Sequence, residues 1–199
     1  ASIVDNTIVV YASDNGPTGD EFRNWSALGI PDMGSPGPFR GALGAASEGS
    51  VRTFCFIRWP GHVKPDTKSY AMFSAMDFLP TFAAILGRNL PDDRPIDGVD
   101  QTKVLTGESA TGARESLLSF VGGDLVAARW KQWRIYFKHE VLTGTGPQQL
   151  GGAYTGLVNM SYPTVYNVEM DPHEDLNLGG NFIWAMTPAL KAVFAYEET

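Results

Sequence analysis

With one cysteine, Cys55, in 199 residues, no disulfide can form within the chain. Cys55 lies in an apolar run, where a thiol is expected to be buried and inert. No histidine or carboxylate beside it marks it as a nucleophile. No apolar stretch approaches the length a helix needs to cross a bilayer. A basic excess is missing too: the formal charge is −7. That argues against a nucleic-acid-binding protein, which carries a basic stripe. It leaves room for a small anionic substrate, because a local positive cleft acts within a Debye length of about 8 Å. Internal repeats and low-complexity tracts are absent. The opening Ala-Ser-Ile-Val-Asp-Asn has neither an initiating methionine nor the pattern of a signal peptide. The chain is therefore expected to start inside a longer precursor, which leaves its compartment open.

What is present begins at residues 7–16, Thr-Ile-Val-Val-Tyr-Ala-Ser-Asp-Asn-Gly. Residues 8–12 are too short a run for a helix and rich in β-branched side chains, so they are expected to form a strand covered on both faces. Polar residues, Gly16 and Pro17 then stop the strand. In open α/β sheets ligands bind at the carboxyl ends of strands. Asp14 and Asn15 sit at such an end as two oxygen donors suited to a hard cation. The same residues also fit an Asx-type turn that only closes the strand.

Residues 17–44 are rich in glycine and proline, include Glu21, Arg23 and Trp25, and form a long connection of the kind that is functional or mobile. Residues 51–59 give a second strand. Residues 76–87 predict a short helix with Asp77 as N-cap, Pro80 in the first turn and Gly87 at the C-terminal stop; Phe78, Phe82 and Ile85 face the core. Past a composition shift at 111–114, strands are expected at 116–121, 125–130 and 133–138. The last two are joined at Lys131-Gln132 as an antiparallel hairpin. A glycine-rich loop over 144–156, a strand at 164–168, a polar turn at 170–178 and a terminal helix from Thr187 through Glu198 complete the chain.

In this order the segments resemble the C-terminal half of a type I sulfatase, the arylsulfatase branch of the alkaline-phosphatase-like hydrolases. The matching pieces include Asn6-Thr-Ile-Val-Val-Tyr-Ala-Ser-Asp-Asn-Gly-Pro, Phe39-Arg-Gly-Ala-Leu-Gly-Ala-Ala-Ser-Glu-Gly-Ser-Val-Arg, Ile57-Arg-Trp-Pro-Gly and Met76-Asp-Phe-Leu-Pro-Thr. Further on come Ile96-Asp-Gly-Val-Asp, Ala128-Arg-Trp-Lys and Val165-Tyr-Asn-Val-Glu-Met-Asp-Pro. Each is weak alone; their order and spacing carry the resemblance.

It implies an α/β class: 1–112 as the C-terminal part of an alkaline-phosphatase-like α/β sandwich, and 113–199 as a small antiparallel-sheet plus helix subdomain. It implies a sulfuric ester hydrolase assisted by a divalent cation, calcium or else magnesium, with Asp14 and Asn15 among the ligands. A phosphate or phosphonate ester hydrolase on the same frame is the near alternative. The family nucleophile, a formylglycine made from Cys/Ser-x-Pro/Ala-x-Arg, is not supplied here: Cys55 is followed by Phe56, Ile57, Arg58 and Trp59. His62, His139 and His173 match none of the family's catalytic histidines and are expected on the surface or in loops. At the family's sulfate-contacting lysine stands Leu43, with no charge and no donor; Arg40 is the candidate substitute. These gaps favour a second alternative, a catalytically inactive fragment that persists as a structural or interaction module. The first strand's unpaired apolar edge calls for a companion N-terminal half or chain, or self-association. An extracytoplasmic location follows from the resemblance only.

Overall fold

The computed structural model describes residues 3–17, 34–142 and 155–198. Most of the long connection over 17–44, with Glu21, Arg23 and Trp25, and most of the loop over 144–156 lie outside the described residues. The chain forms two compact units. One unit joins residues up to 12 with 54–115, and the other joins 13–53 with 116–198.

In the first unit, β1 (Val9–Ala12) pairs antiparallel with β2 (Cys55–Arg58), with Tyr11 opposite Phe56 and Ala12 opposite Cys55. The expected strand covered on both faces is not what forms. Tyr11 is 66% exposed and Phe56 65%. Cys55 is likewise exposed, not buried. An apolar run reports that side chains favour burial, and among the described residues β2 alone flanks β1. Helix α2 (Phe78–Ile85) follows a 3-10 turn at Ala75–Asp77. Asp77 stands at the N-cap of α2 without a side-chain cap bond into it; Ser74 is the N-cap of the 3-10 turn, and the Asp77 carboxylate accepts from the Ser74 N–H at 2.8 Å, closing a capping box there. Gly87 takes the left-handed conformation expected of a helix stop (φ 61°). Phe78, Phe82 and Ile85 are half-buried, while Pro80 and Thr81 are the buried residues of α2. Helix α3 (Thr102–Leu105) is a single turn.

The second unit contains the one-turn helix α1 (Glu48–Val51) and an antiparallel sheet in the order β3 (Ser116–Val121), β4 (Asp124–Trp130), β5 (Trp133–Leu142) and β6 (Thr155–Asn167). Lys131-Gln132 makes the β4–β5 turn, Lys131 at φ 51°. Alternation along β5 decides what each sheet face does. Trp133 and Ile135 point to one face and pack with Ala128, Val165 and the buried Ala189 and Val193 of the terminal helix α4 (Met186–Glu197). Burying such side chains stabilises by about 1.5–3 kcal/mol each. Arg134 and Tyr136 point to the opposite face, which Ala46 helps to cover. Helices and two antiparallel sheets are mixed in the chain, in keeping with the α/β class.

Candidate functional site

Residues 13–17 turn the chain immediately after β1. The Ser13 hydroxyl donates to the Asn15 carbonyl at 3.0 Å, and the Asn15 Nδ2 donates to the Gly16 carbonyl at 2.7 Å. The amide nitrogen is thereby engaged within the turn, and the neighbouring Asp14 is exposed. Both features of the sequence therefore coexist: a side-chain-braced turn, and two hard oxygens at its rim.

The turn is seated on residues 39–52 by backbone contacts that only glycine permits. The Gly16 N–H donates to the Ser50 carbonyl at 2.7 Å, and a Cβ on Gly16 would stand 1.9 Å from the Gly49 carbonyl oxygen. Gly49 in turn donates to the Arg40 carbonyl at 2.7 Å, and a Cβ there would lie 2.4 Å from the Gly41 carbonyl oxygen. Leu43 N–H donates to the Pro17 carbonyl at 2.9 Å. Position 43 thus lies beside the turn, and its side chain brings no donor to it.

Beneath residues 39–52 is a buried ionic layer. Glu48, 1% exposed, accepts from Arg134 Nη1 at 2.8 Å through Oε1, and through Oε2 from Arg129 Nη1 at 2.6 Å and Arg52 Nε at 3.0 Å. Arg129 and Arg134 face one another across β4 and β5. Like charges in that register repel, and Glu48 between them offsets the repulsion. Burial alone would raise the Glu48 carboxyl, but Arg134, then Arg129 and Arg52, outweigh it and hold it below the ordinary range. Arg134, fully buried, also donates from Nη2 to Ser119 Oγ at 2.9 Å and from Nε to Tyr136 Oη at 3.1 Å. Burial pushes the Tyr136 phenol well above its usual value.

A second acid completes the layer. Glu174 Oε1 accepts from the Glu48 N–H at 3.1 Å, and Oε2 from Arg40 Nη2 at 3.0 Å and from the Tyr136 hydroxyl. The Arg40 guanidinium also lies 5.3 Å from the Tyr136 ring centre and 5.6 Å from that of Tyr166. Glu140 on β5 accepts from the Ala46 N–H at 2.8 Å, and burial raises its carboxyl above the ordinary value.

The structure thus brings Asp14, Asn15 and the segment bearing Leu43 together, and draws Arg40 to Glu174. His62, His139 and His173 are exposed, and His173 Nδ1 contacts Asp175 at 2.8 Å. Arg134, Tyr136 and Glu174 were not singled out from sequence. The available signal was a charged residue inside the apolar alternation Trp-Arg-Ile-Tyr, which implies a buried partner. Among the described residues no three His, Cys, Asp or Glu side chains gather as a metal site. By donor chemistry, Asp14 and Asn15 suit a hard cation as two of the six to eight oxygens such an ion takes.

Comparison with known proteins gives a consistent result. Residues 2–88 match the family model described as Sulfatase. The chain is 35% identical over 135 residues to the steryl-sulfatase of Mus musculus, covering 66% of this chain and 21% of that protein. It is 30% identical over 177 residues to an N-acetylgalactosamine-6-O-sulfatase of Bacteroides thetaiotaomicron, covering 88% of this chain and 33% of that protein. Among solved structures, the PsFucS1 sulfatase from Pseudoalteromonas sp. superposes with a TM-score of 0.81 at 27% identity, over 98% of this chain and 37% of that one. The chain belongs to the sulfatase family, and it spans only a minor part of the length of the members it matches.

Proposed function

We propose that the chain is the cation-bearing, C-terminal part of a sulfuric ester hydrolase of arylsulfatase type. The observation that carries this is the seating of the Asp14–Asn15 turn on Gly49 and Ser50, which presents two oxygen donors from a rigid base. Asp14 and Asn15 would hold a divalent ion, calcium by preference. When bound, such an ion supplies Lewis-acid stabilisation of the charge that develops on ester oxygens. The chain's own part is to fix the two donors, with Nδ2 of Asn15 tied to the Gly16 carbonyl. The remaining ligands and the nucleophile belong to the part of a sulfatase-length protein that this chain does not span. A companion N-terminal segment covering the exposed apolar β1–β2 pair belongs to the same proposal, as does an extracytoplasmic location. Among the described residues no helix is long and apolar enough to cross a membrane.

Leu43 favours a second proposal, that of a weakened or inactive member. A charged donor at such a place contributes about 3–4 kcal/mol to a transition state, and leucine contributes none. Arg40 would supply that charge only on release from Glu174, so Arg40→Ala is expected to abolish residual turnover if it does. The test is turnover of an aryl sulfate and an aryl phosphate by this chain joined to a sulfatase-type N-terminal part, with and without Asp14→Ala. Sulfate ester hydrolysis that drops at least about a hundredfold on Asp14→Ala supports the proposal. Preference for the phosphate ester moves the assignment to the phosphoester alternative. No turnover of either ester supports the inactive member, and turnover indifferent to Asp14→Ala contradicts the cation site.

A further inference from the structure

Glu174 stands apart from the other acids of the second unit. It is 2% exposed, and it holds a left-handed backbone (φ 60°) that a non-glycine residue adopts only when its surroundings enforce it. Both of its carboxylate oxygens reach residues 39–52: Oε1 takes the Glu48 N–H and Oε2 takes Arg40 Nη2. Those two residues are also where the seat of the Asp14–Asn15 turn is made. The Arg40 carbonyl accepts Gly49 N–H, and α1, which begins at Glu48, carries the Ser50 carbonyl that accepts Gly16 N–H.

We infer that Glu174 is a positioning residue for the Asp14–Asn15 turn, acting through Arg40 and α1 and touching neither donor itself. One carboxylate fixes both supports of a two-layer backbone stack, Gly16 on Gly49 on Arg40. Releasing it frees α1 to rotate and lets the Ser50 carbonyl leave Gly16. The consequence for metal affinity rests on the cation site proposed above; the consequence for the backbone does not.

The test is amide hydrogen exchange resolved by residue, together with a calcium titration, on the 199-residue chain carrying Glu174→Ala, Glu174→Gln or Tyr136→Phe. Glu174→Ala is expected to lower protection at Gly16 and Gly49 by about tenfold or more, while Ile135 in the sheet changes by less than about twofold. Glu174→Gln retains an acceptor for the Glu48 N–H and loses the charge facing Arg40, so its effect is smaller at the same amides. Tyr136→Phe removes one donor to Oε2 and keeps the ring, and it gives a small fall at Gly16 and Gly49 even if the alanine variant fails to fold. Calcium affinity falls in the same order. Protection at Gly16 and Gly49 that moves only in step with Ile135, or does not move in any folded variant, overturns the inference. An unsubstituted chain that binds no calcium overturns the cation site instead, and the exchange data alone then decide the role of Glu174.

Discussion

Each unit is organised about a buried acid, and the two acids differ instructively. Asp77 in the first unit collects its partners from between Ser74 and Arg114. Oδ2 accepts from Ser74 N–H and Oδ1 from Val99 N–H at 2.9 Å, and Arg114 Nη2 adds a charged contact to Oδ1 at 2.6 Å. Glu48 in the second unit has three guanidiniums, two of them from strands some eighty residues away in sequence. Asp77 is a capping acid that acquired an arginine. Glu48 bonds both Arg129 and Arg134 where they stand opposite one another in a sheet. The first arrangement joins the start of α2 to Val99 and Arg114; the second ties residues 39–52 to the sheet on which the candidate site rests.

That contrast can be broken in a graded way. Glu48→Ala leaves Arg134 buried beside Arg129 without its central counter-ion, and removing one partner of a buried charge cluster costs about 3–5 kcal/mol. Urea unfolding should show that loss; a loss under about 1 kcal/mol would mean that Glu174 and Tyr136 suffice for Arg134. Asp77→Asn keeps the shape and an acceptor but removes the charge facing Arg114. Its expected cost is about 1.5–3 kcal/mol by the same measurement. Arg52→Ala is the smallest change, since this partly exposed (i, i+4) partner of Glu48 is worth about 0.3–0.5 kcal/mol. An Arg52→Ala cost equal to that of Glu48→Ala would erase the distinction between buried and rim arginines.

Acid acts on the two carboxylates in the same sense. Burial opposes ionisation of both Asp77 and Glu48, yet hydrogen bonds with Arg114 and backbone amides, and the three arginines, leave both carboxyls below their ordinary values. A carboxyl depressed in the folded state contributes stability that is present above its unfolded pKa and lost as pH falls through the folded one. Stability is therefore expected to fall steadily below the ordinary carboxylate range, and Glu48→Gln and Asp77→Asn should each flatten that fall. Glu140 has the opposite sign. Its raised carboxyl stabilises below the ordinary glutamate value and loses that contribution as pH rises through the elevated one, so Glu140→Gln should help most near neutrality.

How much of this was legible in sequence follows from the range of the interactions. The Lys131-Gln132 hairpin, strand β3 and the Gly87 stop were readable because turn chemistry and alternation are local. Asp77 was readable at the start of α2, although its carboxylate bonds back to the Ser74 N–H and not into the helix. The exposure of Cys55, and of the β1 and β2 side chains, was not readable. A short apolar run states a preference for cover and does not name what provides it. Arg134, Tyr136 and Glu174 were hidden for a related reason: their meaning lies in partners brought in by β-sheet register and by a left-handed turn at residue 174. Asp14 and Asn15 came from the family resemblance together with the strand-end rule, and the structure adds the glycine stack beneath them.

The claim on which the function turns is that Asp14 and Asn15 grip a divalent ion. A calcium titration followed by the nitrogen-resolved NMR signals of Asp14, Gly16 and the Asn15 side-chain amide tests it at one site. Saturable shifts are expected at those signals with a dissociation constant on the order of 1 mM, as suits an incomplete oxygen shell, and they are expected to be lost in Asp14→Ala. Signals that stay still at calcium concentrations well above that value, or that shift equally in Asp14→Ala, would contradict it.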